Sequence, residues 1–120
     1  MGLPKAAFAV VFEYGNVWVT TRDGKDTGRF GLPGGKQEGD ENIEFTAFRE
    51  ASEEGLSVQP PCTLIHRAEV DGFDVYWFLF YSGKALPEYK EKHRGIKPVL
   101  VSIEDAAKSG YGNDFLSRYI

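Results

Sequence analysis

The sequence has one cysteine, two histidines and no long apolar run, and each shortage closes off a class of protein. Cys62 on its own cannot form an internal disulfide, and neither His66 nor His93 has a partner at zinc-ligand spacing, so a disulfide scaffold and a structural zinc site are both excluded. A reducing, cytoplasmic setting is the expectation. The apolar run from Ala6 to Phe12 is too short to span a bilayer, and it lacks the basic flank and cleavage pattern of a signal peptide. Gly2 is not followed by Ser or Thr at position 6, so the myristoylation pattern fails as well. Positive charge is also scarce: 14 basic against 18 acidic residues give a net charge of −4. Such a surface repels a phosphate backbone, which makes nucleic acid an unlikely partner. A small polyphosphate ligand would need metal ions or a local basic patch.

What is present suits an ordinary globular chain. At 120 residues with 42% hydrophobic side chains, residues 1–120 are expected to form a single domain. Apolar runs rich in Val, Phe, Tyr and Trp at Ala6–Phe12, Val17–Thr21, Cys62–Val70, Val75–Tyr81 and Val99–Ser102 read as strands, with Glu13-Tyr14-Gly15-Asn16 closing a first hairpin. A glycine-rich stretch from Asp23 to Gly39 leads into Glu41–Glu54, which lacks Gly and Pro and reads as a helix ended by Gly55. Ser102 starts a short helix, Asn113 is placed to cap a last one running to Ile120, and Gly83–Lys97 reads as an exposed, mobile loop. The fold class expected is α+β, a mixed sheet with helices packed on it.

Glu50, Glu53 and Glu54 stand at i, i+3 and i+4, which confines three carboxylates to one side of a helix. Like charges so close work against the helix unless cations sit between them. Oxygen-only donors of this kind suit Mg²⁺, with Mn²⁺ possible, ions that keep waters and share substrate phosphates. Spacing alone also permits a plain solvated acidic face. The preceding Gly34-Gly35-Lys36 opens backbone to close approach and adds a point charge for phosphate. A Walker loop would need Gly at 30 and Ser or Thr after Lys36, where Phe30 and Gln37 stand. A calcium loop from Asp23 would need Asp or Asn at 25 and Glu at 34, where Lys25 and Gly34 stand.

Gly35, Glu41, then Arg49-Glu50-Ala51-Ser52-Glu53-Glu54 and Gly55-Leu56, preceded by Leu32-Pro33-Gly34, resembles the Nudix box, G-x5-E-x7-R-E-U-x-E-E-x-G-U. The resemblance implies an α/β/α sandwich with the box as loop–helix–loop. It implies Mg²⁺-dependent hydrolysis of a phosphoanhydride in a nucleoside diphosphate linked to another group. A (d)NTP giving NMP and pyrophosphate ranks first. ADP-ribose, a dinucleoside polyphosphate, capped RNA, or a nucleotide-sensing module without turnover are the rivals. Glu50, Glu53, Glu54 and the Gly34 carbonyl would hold metal, Arg49 would orient a carboxylate, and Glu41 would brace the loop. The proton acceptor would come from the box or from a distal glutamate, Glu91 or Glu88. Similarity to the MutT-type pyrophosphatases adds Arg22 as a phosphate contact beside Lys36, and Asn113 as a reader of a purine edge, a role that competes with capping. Tyr76 and Phe78 are candidates for the floor of a base pocket, with core packing as their alternative. One departure stands out: no spacer separates Glu54 from Gly55, which leaves the orientation of Glu54 open.

Overall fold

The computed structural model describes residues 2–22, 30–109 and 112–120. Strands β1 (Lys5–Val10), β4 (Gly34–Lys36), β5 (Leu56–Val70) and β6 (Phe73–Ala85) form a mixed sheet in the order β4-β1-β6-β5, with β1 and β6 parallel and the other pairs antiparallel. Strands β2 (Phe12–Glu13), β3 (Asn16–Arg22) and β7 (Ile96–Ser102) form a second, antiparallel sheet in the order β2-β3-β7. Its first hairpin turns at Tyr14 and Gly15, both with positive φ, where the sequence places it.

Because side chains alternate across a strand, the four-stranded sheet separates two cores. Helix α1 (Ile43–Glu53) covers one face, setting Ala47 and Ala51 against Ala7, Ala9, Tyr76 and Phe78. On the other face Ala6, Val10, Val75 and Trp77 meet β3, helix α2 (Ile103–Lys108) and a C-terminal 3₁₀ helix, Asn113–Tyr119. The result is the expected α+β arrangement of sheet between helical layers. Among the described residues no helix is long and apolar enough to cross a membrane.

Several boundaries differ from the sequence reading, each for a local reason. Helix α1 is capped by Asn42, whose side chain accepts from the Glu44 and Phe45 amides, so it begins two residues later than expected. Strand β5 reaches back to Leu56 through Pro60 and Pro61, because both prolines fall at a register shift on a sheet edge, where a missing amide costs no ladder bond. The segment 83–97 is built rather than loose: β6 continues to Ala85 and a 3₁₀ helix spans Lys90–Arg94. The Tyr89 hydroxyl donates to the Ile96 carbonyl at 2.6 Å, and the Lys92 ammonium to the Pro87 carbonyl at 2.6 Å. Asn113 is not a cap. Gly112, with φ 75°, takes that position, and no side chain caps this helix.

Candidate active site

The site is built around the short edge strand β4 and the helix that follows it. Gly34 pairs with Phe8 and Gly35 with Ala7. A Cβ at residue 34 would strike the Phe8 side chain and the Ala7 carbonyl, and one at 35 would strike the Glu50 carboxylate. The two glycines are therefore required by close approach on opposite faces of one strand, and Glu50 rests directly on bare backbone.

Arg49 organises the acidic groups. Its Nη2 donates to Glu41 Oε1 at 2.7 Å and to the Lys36 carbonyl at 3.0 Å, and its Nε donates to Glu41 Oε2 at 3.1 Å. Its Nη1 donates to Glu50 Oε1 at 3.0 Å and Glu53 Oε2 at 3.1 Å. One guanidinium thus ties loop to helix and brings two box carboxylates to a single nitrogen, a fork that lysine could not reproduce. The Arg49 hydrogen bonds hold the Glu41 carboxyl down at about 2, and the Glu41 partnership raises the guanidinium above its already high value. Glu50 moves the other way: burial raises its carboxyl, against the Arg49 hydrogen bond and with help from the Glu53 charge.

Glu54 follows the last helical residue, and its Oε1 accepts the Gly34 amide at 2.8 Å. The absent spacer does not swing it away from the loop. Gly55 takes φ 102° directly after it and turns the chain into β5, closely flanked by Pro98 and the Tyr89 ring. The Lys90–Arg94 helix lies beside α1, with the Lys90 ammonium 3.8 Å from Glu53 Oε1. Its Glu91 side chain is 18% exposed and faces Arg94 at 3.5 Å, whereas Glu88 is 85% exposed and paired with Lys92. Of the two distal glutamates, only Glu91 is partly enclosed.

On the other face of β4 lies a cavity of about 760 Å³, walled by Phe8, Phe73, Val75 and Trp77, with Gly35, Lys36, Asp71 and Asn113 in its lining. Asn113 is 2% exposed, and its amide donates to the Phe30 carbonyl at 2.8 Å, a carbonyl that also accepts from the Ser109 hydroxyl at 3.0 Å. The Lys36 ammonium lies 5.2 Å from the Phe73 ring centroid. Tyr76 and Phe78 are absent from this cavity. They stack at 6.2 Å on the α1 face, and Tyr76 donates to Asp74. The alternation that made them candidates puts Val75 and Trp77 on the cavity instead, which corrects the expected floor. Arg22 ends β3, and its side chain lies outside the described residues.

Sequence reasoning missed Phe8 and Phe73, and chose Tyr76 and Phe78 over Trp77 on the same strand. Their apolar alternation was visible, but which face opens onto a cavity depends on the pairing of β1 with β6. His66 stacks on Phe115 at 4.4 Å and meets Trp77 at 5.0 Å, and burial lowers its imidazole. It packs the C-terminal 3₁₀ helix onto the sheet.

Among the described residues no three carboxylate, thiol or imidazole groups converge as a ready metal cage. The donor chemistry nevertheless fits a hard divalent cation. Glu50 and Glu53 reach one point with oxygen donors only, each giving Arg49 Nη1 one oxygen, and Glu50 stands against the Gly35 backbone.

The NUDIX domain model matches residues 2–116, so the chain belongs to the NUDIX family and is a Nudix hydrolase. No curated protein matches its sequence. Among solved structures it is similar to MutT NUDIX hydrolase from Burkholderia pseudomallei, at 20% identity and TM-score 0.74, over 98% of this chain and 97% of that one. A structure from a study of MutT from Aliivibrio salmonicida and Vibrio cholerae matches at 21% identity and TM-score 0.72, over 96% and 94%. An ADP compounds hydrolase matches at 14% identity and TM-score 0.72, over 96% and 71%. Likeness at these identities speaks for the fold alone.

Proposed function

We propose that this Nudix hydrolase cleaves a phosphoanhydride in a nucleoside triphosphate, ribo or deoxy, releasing NMP and pyrophosphate. One observation carries the reading: the edge strand Gly34–Lys36 has an aromatic-walled cavity on one face and, against Gly35 on the other, the Glu50 carboxylate, which shares Arg49 with Glu53. A cavity of about 760 Å³ suits a nucleoside-sized ligand. With the base held there, the phosphate chain passes Lys36 and crosses Gly35 to the carboxylates.

Mg²⁺, or Mn²⁺ in its place, would be held by Glu50, Glu53 and Glu54 with the Gly34 carbonyl, and it supplies neutralisation of phosphate charge and a more acidic bound water. The chain's own residues do the rest. Arg49 fixes the directions of Glu50 and Glu53 before substrate arrives, so no reorganisation is needed during reaction. Lys36 takes a phosphate oxygen as a point charge, and Arg22 is assigned the same task. Glu91 is assigned the proton of the attacking water, since it is the enclosed distal carboxylate. Asn113 is assigned to the base edge, with Phe8 and Trp77 as its apolar walls. The one free thiol accords with a cytoplasmic setting.

The test is a panel of nucleotides incubated with Mg²⁺ and with excess EDTA, the products resolved by chromatography. NMP and pyrophosphate from triphosphates, abolished by EDTA, are expected. Turnover confined to ADP-ribose or dinucleoside polyphosphates moves the enzyme to the other substrate class, and binding without turnover makes it a sensor.

A further inference from the structure

The cavity holds three polar side chains, and the function above uses two of them. Lys36 belongs to the phosphate end and Asn113 is tied to the Phe30 carbonyl deep in the wall. The third is Asp71, at the tip of the β5–β6 hairpin. Its φ of 50° and the Gly72 φ of 82° make a tight primed turn, for which Asp-Gly is a favoured pair. The turn accounts for a short polar residue at 71, and its place at the tip leaves that residue exposed at the edge of the cavity. Among the described residues Asp71 has neither an ion pair nor a hydrogen bond, so its carboxylate is a free acceptor.

Its position limits what it can meet. Phe73, two residues on, carries the Lys36 ammonium over its ring, so Asp71 shares the Lys36 end of the cavity. Phe8 and Trp77 pair across β1 and β6 further along the sheet, which sets the base end beyond it. In a nucleotide the part between base and phosphates is the sugar. A carboxylate there accepts hydrogen bonds from sugar hydroxyls, as acidic side chains do at ribose in dinucleotide sites, and it repels any phosphate esterified to them.

We infer that Asp71 is a specificity-determining residue that accepts a sugar hydroxyl, restricting the substrate to nucleotides whose 3′-hydroxyl is free. The inference rests on the nucleotide reading of the cavity. It selects mononucleotides over 3′-phosphorylated nucleotides and over internal positions of RNA.

The experiment compares kcat/KM for each dNTP with that for its 2′,3′-dideoxy counterpart, and for GTP with its 3′-diphosphorylated form, in wild type, Asp71→Asn and Asp71→Ala. Asn holds the left-handed turn and removes the charge. Wild type is expected to favour the hydroxyl-bearing substrate by about tenfold, the size of a hydrogen bond to a charged group. That preference should fall to near unity in Asp71→Ala, and the 3′-phosphorylated substrate should gain severalfold in both variants. Melting curves with and without Mg²⁺ check that both variants fold. Wild-type hydrolysis of dNTPs with the same dideoxy ratio in Asp71→Ala overturns the inference and leaves the function standing. Absence of any nucleotide turnover removes the function and the inference together.

Discussion

The box and the cavity lie on opposite faces of the same strand and are made in opposite ways. The box is charged, continuous in sequence and wired through one residue: Arg49 holds Glu41, Glu50, Glu53 and the Lys36 carbonyl at 2.7–3.1 Å. The cavity is apolar and drawn from separated segments, with Phe8 on β1, Phe73, Val75 and Trp77 on β6, and Asn113 near the C-terminus. Charge in the box is organised by hydrogen bonds along and beside one helix, whereas the cavity depends on how strands and the 3₁₀ helix pack.

The sharpest break in that comparison is Glu53→Gln. It removes one box charge without altering shape, and losing a preorganised electrostatic group should lower kcat by about 10²–10³. The melting temperature without metal should change little, because the repulsion relieved at Glu50 offsets the weakened pairing of residue 53 with Arg49 and Lys90. Single-turnover kinetics beside a thermal melt checks both, and a kcat near wild type would remove the box from the reaction.

In the cavity the damage should fall on the fold as well. Asn113→Asp exchanges a buried donor for a carboxylate facing the Phe30 carbonyl, at a cost of about 1–3 kcal/mol in stability. A helix cap at this position would tolerate the same change, since Asp caps as well as Asn. Equal denaturant midpoints for the two proteins would restore the cap.

The smallest effect concerns pH. Glu41 has its carboxyl lowered from 4.5 to about 2 in the folded chain, so its contribution is fully present above about 4.5 and is lost as pH falls toward 2. Wild type should therefore lose more stability across that window than Glu41→Gln does. Melts at several acid pH values give the two slopes, and parallel slopes would mean that the Glu41–Arg49 pair does not stabilise the loop.

The elements legible in sequence were those set by local signals. The Tyr14-Gly15 hairpin, the helix under the box, its end at Gly55 and the Ser102 cap each follow from residues within a few positions. Strand lengths were less legible: a strand was expected from Cys62, whereas β5 begins at Leu56 and carries Pro60 and Pro61 on a sheet edge. Asn113 looked like a cap because a good capping residue precedes a helical stretch. Its partner, the Phe30 carbonyl, is 83 residues away.

Sequence alone determined the carboxylate constellation, because spacing on a helix is a local property, whereas the need for glycine at 34 and 35 comes from Phe8, Ala7 and Glu50, which only the fold brings there. The role of Arg49 was partly visible, as its contacts to Glu50 and Glu53 lie one and four residues away. Only the tertiary structure decided which of two alternating sets, Tyr76 and Phe78 or Val75 and Trp77, meets the cavity. A strand's pattern is symmetric between its faces until a helix covers one of them. Here α1 claims the first set, and the face left to the second is open enough to admit a ligand.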